Sequence, residues 1–141
     1  MTYVLDASVS LRWVLPNALS AKALKLRDDY QQKIHELIAP SIYPGEIANA
    51  LTKAERQKLI NVGQARGLIV SVFSTLPALH LYDPLLLRAT DISSQTRGGF
   101  YDCLYVALAE REGCELVTAD QKLINNLQRH FSFIRDLATL P

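Results

Sequence analysis

The chain has 141 residues, of which 49% are hydrophobic and 21% are charged, as in an ordinary globular protein. A chain of this length is the size of one domain and buries roughly two-thirds of its unfolded surface, so we expect a single domain over residues 1–141. The formal net charge of +1 excludes a strongly basic nucleic-acid binder, but it does not exclude a nuclease whose acidic site offsets basic residues elsewhere.

The N-terminal residues and the cysteines predict a cytoplasmic protein. No basic segment precedes the first apolar run, and no apolar run approaches the roughly 18 residues of a membrane span. Cys103 and Cys114 fit no metal-binding spacing, so we interpret them as reduced and mostly buried thiols.

The first forty residues predict two strands and two helices. Residues 3–5 are a short apolar run typical of a buried strand, and residues 9–14 begin a short helix that Pro16 ends. Residues 20–36 predict a helix, and the apolar positions expected to face the core are Leu24, Leu26, Tyr30 and Ile34. A second strand is expected at residues 37–39, before Pro40.

The middle of the chain is mainly helical by pattern. A strong helix is expected over about 43–57, with one apolar stripe at Ile47, Ala50, Leu51 and Ala54. Another helix is expected over about 62–75. Residues 78–82 resemble a third strand, and Asp83 and Pro84 then begin a helix that runs to about Ser94.

The last third begins with residues 95–99, the one obvious flexible loop. Residues 101–112 predict a helix that Gly113 closes. A strand is expected at residues 115–118, a helix at 120–129 and an edge strand at 131–134. Short apolar strands separated by helices indicate an α/β fold with a mainly parallel five-stranded sheet covered on both faces.

Ligands of such sheets bind beyond the carboxyl ends of the strands, and four acids satisfy that rule. Asp6 ends the first strand and Asp120 follows the fourth, whereas Glu46 and Asp102 lie near the starts of helices. An acid at a helix start also serves as a cap or complements the helix dipole, so each position alone has an ordinary structural explanation. The case for function is that the fold brings them to one edge.

Carboxylates crowded at one edge imply a bound cation. A like-charge pair about 4 Å apart costs about 4 kcal/mol at an effective dielectric of about 20, unless a cation neutralises it or some acids stay protonated. Ligation by oxygen alone suits Mg²⁺ or Mn²⁺ better than Zn²⁺. One or two such ions activate water and stabilise the leaving oxygen of a phosphodiester.

Four segments together resemble the PIN-domain family, and within it the VapC-type toxins of type II toxin–antitoxin pairs. They are VLDAS (residues 4–8), PGEIANAL (44–51), YDCLYVALA (101–109) and LVTAD (116–120). Each is weak alone, but their order and spacing within one domain are specific, and the resemblance extends from Val4 to about Phe133. Two details depart from the family pattern: Pro44-Gly45 is looser than the expected apolar pair, and Cys103 replaces a smaller residue.

The resemblance implies a three-layer PIN-like fold and a Mg²⁺- or Mn²⁺-dependent endoribonuclease. It implies that Asp6, Glu46 and Asp102 are metal ligands, that Asp120 binds metal or supports the site, and that the residues assisting them are Ser8, Asn49 and Thr118. It also implies a small antitoxin protein and a homodimer. The apolar residues of the helices at 43–57 and 62–75 are a loose indication of the dimer.

Basic residues are weaker candidates for RNA contacts. Arg97, in the glycine-rich loop before Asp102, is the best candidate for a phosphate contact, because a loop beside the acids can reach the RNA backbone. Lys53, like Arg56 and Lys58, is expected on a solvated face. His35, His80 and His130 are scattered and have no catalytic spacing.

Other functions stay open at this point. A receiver domain also has an acid at a strand end, but its usual acid pair near the first strand is missing here. No glycine-rich phosphate-binding motif follows any strand, which argues against a nucleotide-binding domain. The remaining alternatives are an RNA-processing PIN nuclease without an antitoxin and an inert PIN-fold binding module.

Overall fold

The computed structural model describes residues 1–141 and contains one five-stranded parallel sheet. Its strands are Thr2–Leu5 (β1), Glu36–Pro40 (β2), Ala78–His80 (β3), Glu115–Thr118 (β4) and Ile134–Asp136 (β5). Their order across the sheet is β3-β2-β1-β4-β5, and every neighbouring pair is parallel. The predicted parallel α/β sheet is therefore confirmed.

Seven α-helices surround the sheet. They are Ala7–Leu11 (α1), Ser20–Gln31 (α2), Tyr43–Arg56 (α3), Gln64–Phe73 (α4), Leu86–Thr96 (α5), Phe100–Glu112 (α6) and Gln121–Leu127 (α7), and 3₁₀ turns cover Asp83–Leu85 and Leu137–Thr139. None of these helices is long and apolar enough to cross a membrane.

Both faces of the sheet are covered. Successive side chains of a strand point to opposite faces, yet Val4 and Leu5 of β1 are both fully buried, as are Leu116 and Val117 of β4. Helix α6 is buried over the seven consecutive residues Cys103–Ala109, because it packs on β1, β2 and β4 and is itself packed against α5. The sheet therefore lies between helical layers.

Several boundaries differ from the sequence expectation. Helix α2 ends at Gln31 instead of residue 36, because Lys33 turns into the left-handed region at φ 61°, and Ile34 is consequently 61% exposed instead of facing the core. Helix α1 begins directly after Asp6, at Ala7, and ends at Leu11.

The expected loop at 95–99 and the expected strand at 131–134 also need correction. Helix α5 continues to Thr96, whose hydroxyl donates to the Ile92 carbonyl, so only residues 97–99 connect α5 to α6. The last strand, Ile134–Asp136, begins three residues later than expected, because the segment before it forms a turn in which the Ile134 N–H donates to the Phe131 carbonyl.

Candidate active site

The four predicted acids line one cleft at the carboxyl edge of the sheet. The cleft has a volume of about 400 Å³, and its lining includes Asp6, Glu46, Asp102, Asp120, Ser8, Asn49 and Lys53. The sheet explains part of this convergence, since Leu5 of β1 pairs with Val117 of β4 and the next residues of the two strands, Asp6 and Thr118, therefore meet. The starts of α3 and α6 contribute Glu46 and Asp102.

Asp6 is held by two hydroxyl groups. Its side chain is nearly buried, with 5% exposure, and its Oδ2 accepts hydrogen bonds from Ser8 Oγ and, at 2.9 Å, from Thr118 Oγ1. Burial raises the pKa of Asp6 above its ordinary value, the two hydroxyls lower it, and the negative charge of Asp120 adds to the rise.

The same two hydroxyls join the ends of β1 and β4. Ser8 Oγ accepts from the Ala119 N–H at 2.9 Å, and Thr118 Oγ1 accepts from the Asp120 N–H at 3.0 Å. Ser8 and Thr118 thus connect Asp6 to the backbone that carries Asp120. This is the supporting position that the family resemblance implies for them.

Glu46 has an unsatisfied buried oxygen. Its Oε1 has no hydrogen-bond partner, and neither has the nearby buried hydroxyl of Tyr105 in α6. Burial raises the pKa of Glu46, with smaller contributions from the charges of Asp6 and Asp120, while the Tyr105 hydroxyl lowers it. An unpartnered carboxylate oxygen in this position is a donor atom available to a cation.

Asp102 carries a strongly shifted carboxyl group. Its pKa is raised from 3.8 to about 7, mainly by burial and further by repulsion from Asp6, Asp120 and Glu46, while Lys122 opposes the rise. The other three carboxylates of the cleft therefore oppose the ionisation of Asp102.

Asp120 also caps a helix. It precedes α7 as its N-cap, and its Oδ1 accepts from the backbone N–H groups of Lys122 at 2.9 Å and Leu123 at 3.3 Å. The ordinary structural explanation considered for an acid at a helix start is thus correct for Asp120, although the residue also lines the cleft.

Sequence reasoning missed two residues of the site. Lys53 is exposed, as expected for a residue on a solvated face, but it also lines the cleft. It lies seven residues after Glu46, about two helical turns along α3, and this spacing was the available signal. Tyr105 lies three residues after Asp102 on α6, but the sequence alone does not reveal that its hydroxyl approaches Glu46. Arg97 is exposed at the end of α5 and is not among the residues that line the cleft.

The residues present fit a hard divalent cation, although they do not form a finished ligand set. No three His, Cys, Asp or Glu side chains converge closely enough to make a metal-binding group. The available donors are nevertheless all oxygens, one of them unpaired, and the pKa values of Asp6, Glu46 and Asp102 are all raised, so a cation would relieve the repulsion. Cys103 is no competing ligand, because burial and the charge of Asp102 raise its pKa to about 11.

A parallel α/β domain with acids at the carboxyl edge of strands 1 and 4 and at two helix starts defines the PIN-type class of nuclease-like folds. The model of the PIN domain family matches residues 3–127, and the chain belongs to that family. The receiver-domain and nucleotide-binding hypotheses are therefore wrong.

Individual relatives agree with the VapC-type resemblance. The chain is 30% identical to Ribonuclease VapC3 of Pyrobaculum aerophilum over 125 residues, which are 87% of this chain and 92% of that protein. The crystal structure of PAE2754 from the same organism matches with a TM-score of 0.70 and 26% identity, covering 99% of this chain and 94% of that one. The crystal structure of VapBC2 from Rickettsia felis, bound to a DNA fragment from the VapBC2 promoter, shares the fold. Its TM-score is 0.62 and the identity is 15%, covering 96% of this chain and 98% of that one.

Proposed function

We propose that this chain is a single-domain, metal-dependent endoribonuclease of the VapC type that hydrolyses RNA phosphodiester bonds in the cytoplasm. The observation that carries the proposal is the convergence of Asp6, Glu46, Asp102 and Asp120 on one cleft in a PIN-family chain. Its similarity to Ribonuclease VapC3 supports RNA as the substrate.

One or two Mg²⁺ or Mn²⁺ ions would be held by Asp6, Glu46 and Asp102, directly or through water. Asp120 would bind a metal ion as well or support the site. Such an ion supplies an activated water and neutralises the charge that develops on the phosphodiester. Ser8 and Thr118 fix the orientation of Asp6 through its Oδ2. Asn49, on the same face of α3 as Glu46, supplies an exposed amide at the cleft.

Two cations are available for the RNA backbone. Lys53 lines the cleft as a basic residue, so we propose that it contacts a phosphate next to the scissile one. Arg97 is exposed three residues before α6 begins, and we retain it as a contact for a more distant phosphate.

The test is RNA cleavage by the purified protein with Mn²⁺ or Mg²⁺, with product ends analysed for 5′-phosphate and 3′-hydroxyl groups. Asp6→Asn is expected to lower cleavage by about 100-fold or more, because even partners outside the ligand shell of metal sites cost 10–100-fold. The matched control is Asp91→Asn, which changes an exposed aspartate of α5. Wild-type cleavage by Asp6→Asn would show that the assignment is wrong, and absence of both cleavage and Mn²⁺ binding in the wild type would indicate an inert module.

We further propose that the chain is the toxin of a toxin–antitoxin pair and a homodimer. An antitoxin would insert a segment into the cleft and place an Arg or Lys against the acids. The dimer surface would lie beside α3 and α4, where the apolar side chains of Leu59, Val62 and Val70 are 71%, 92% and 65% exposed. Light scattering of the wild type and of Val70→Lys tests the dimer. Co-purification with the product of a short adjacent reading frame tests the antitoxin.

A further inference from the structure

A second pocket lies beside the acidic cleft, and neither the metal ions nor the RNA phosphates of the proposed function occupy it. This side pocket has a volume of about 350 Å³, within the 300–1,000 Å³ typical of small-molecule sites, and its lining residues are Ser41, Ile42, Gly45, Glu46, Asn49 and Tyr101. From these residues we infer that the side pocket binds one unpaired RNA base, which stacks on the ring of Tyr101. The inference rests on the proposed ribonuclease function and adds a base-binding subsite next to its cleft.

The side pocket and the cleft share two residues. Glu46 and Asn49 line both cavities, so the side pocket and the cleft are direct neighbours. A nucleotide whose phosphate lies at the carboxylates therefore has its neighbouring base at the entrance of the side pocket. Tyr101 directly precedes Asp102 in the first turn of α6, and it lines the side pocket.

Tyr101 presents an aromatic face to solvent. Its side chain is 58% exposed, and it is the one aromatic residue among the exposed large apolar residues of the chain. Phe100 supports the ring edge-to-face, with ring centroids 5.5 Å apart and planes at 73°. Unstacked bases of single-stranded RNA are bound on such aromatic platforms, because every base has a π-face.

The other lining residues of the side pocket combine open space with polar groups. A Cβ added to Gly45 would meet no heavy atom within 4 Å, so the missing side chain leaves room rather than serving a close contact. Ser41 Oγ accepts from the Tyr82 N–H at 3.2 Å and keeps its own proton to donate. The exposed amide of Asn49 both donates and accepts, which suits the hydrogen-bonding edge of a base.

An RNA base matches this lining better than a protein side chain does. A base offers an apolar face and a polar edge together, and its phosphate brings it to the cleft that the side pocket adjoins. An antitoxin side chain stacked on Tyr101 is the competing occupant, and the following experiments separate the two.

The first experiment measures steady-state cleavage of a single-stranded RNA by the Mn²⁺-loaded protein. Tyr101→Ala is expected to raise KM about tenfold with little change in kcat, since stacking on an aromatic residue contributes about that factor per base. Tyr101→Phe keeps the ring and is expected to keep the wild-type KM. Leu87→Ala, at an exposed position of α5, controls for an unrelated loss of apolar surface.

The second experiment uses ligands that cannot be cleaved. Calorimetric titration of the Mn²⁺-loaded protein compares adenosine 5′-monophosphate with ribose 5-phosphate, which has the same phosphate and sugar but no base. We expect the nucleotide to bind about tenfold more tightly, and Tyr101→Ala to remove that advantage without weakening ribose 5-phosphate. Gly45→Leu fills the open space and is expected to have the same effect while Mn²⁺ affinity is unchanged.

Four results would overturn the inference. Equal affinity of wild-type protein for the two ligands, or a wild-type KM in Tyr101→Ala, would show that no base occupies the side pocket while leaving the nuclease proposal intact. A Tyr101→Ala variant that keeps its RNA affinity but escapes inhibition by the antitoxin would assign the side pocket to the protein partner. Absence of cleavage by the wild type would remove the nuclease proposal and this inference together.

Discussion

Replacing Asp102 by asparagine should stabilise the metal-free protein and greatly reduce its stabilisation by metal. The folded-state pKa of Asp102 is raised from 3.8 to about 7, first by burial and then by the charges of Asp6, Asp120 and Glu46. Between pH 4 and pH 7 the folded chain therefore holds a proton that the unfolded chain has lost. The contribution of Asp102 to the free energy of unfolding therefore falls as the pH rises through this window and stays low above it.

The expected magnitude is large for one side chain. The difference between 3.8 and about 7 corresponds to roughly 4 kcal/mol, and water in the cleft screens the charges, so 4 kcal/mol is the upper limit. The neutral amide of the Asp102→Asn variant would avoid this cost at pH 8, while losing a favourable interaction with the start of α6 of no more than about 1 kcal/mol. At about 3 °C per kcal/mol for a chain of this size, the variant should melt up to about ten degrees higher.

Thermal unfolding of both proteins in EDTA at pH 5 and pH 8 tests this expectation. The advantage of Asp102→Asn should be large at pH 8 and smaller at pH 5, and Asp91→Asn should show no such dependence. Mn²⁺ should raise the Tm of the wild type at pH 8 and raise that of Asp102→Asn much less. A metal ion stabilises the folded protein only as far as the folded protein binds it, and the variant lacks one of the proposed metal-binding carboxylates. The reasoning is refuted if the variant is no more stable than the wild type at pH 8 in EDTA.

Three further substitutions test other parts of the structure. Thr118→Val keeps the side-chain shape but removes the hydrogen bonds to Asp6 and from the backbone of Asp120; we expect urea denaturation to show a loss of about 1–3 kcal/mol and cleavage to fall. Gly98→Ala would place a Cβ 2.8 Å from Leu127 Cδ2, so a loss of about 1–3 kcal/mol is expected in the same assay, and unchanged stability would contradict this packing. Lys53→Ala should weaken RNA binding and reduce the slope of its salt dependence by about one; an unchanged slope would show that Lys53 touches no phosphate.

The sequence predicts the architecture well where local pattern and tertiary environment agree. Short apolar runs before Asp6 and Asp120 define β1 and β4, and the helix expected at 43–57 is found at Tyr43–Arg56. The errors lie where a backbone conformation decides the outcome. Apolar periodicity continues through Ile34, but the left-handed turn at Lys33 ends the helix before it, and no pattern of side chains reveals that turn.

The same distinction applies to the site. Chain position was enough to expect Asp6, Glu46, Asp102 and Asp120 at one edge, because parallel strands and the helices that follow them share that edge. The sequence does not reveal how deeply these side chains are buried or which way they point. By pattern Tyr105 is an ordinary residue of the apolar stripe of α6. Only the folded arrangement of α6 and α3 shows that its hydroxyl lies near the Glu46 carboxyl group.

The four acids are not equivalent, and their differences indicate how the cleft is organised. Burial opposes the charged form of Asp6, Glu46 and Asp102, so their carboxylates stand to gain from a cation. Asp120 already satisfies one oxygen by capping α7 and is tied to Asp6 through Thr118. A carboxylate that caps a helix in this way is fixed before any metal arrives. Asp120 therefore suits the supporting role in our proposal, and the first three acids suit that of ligands.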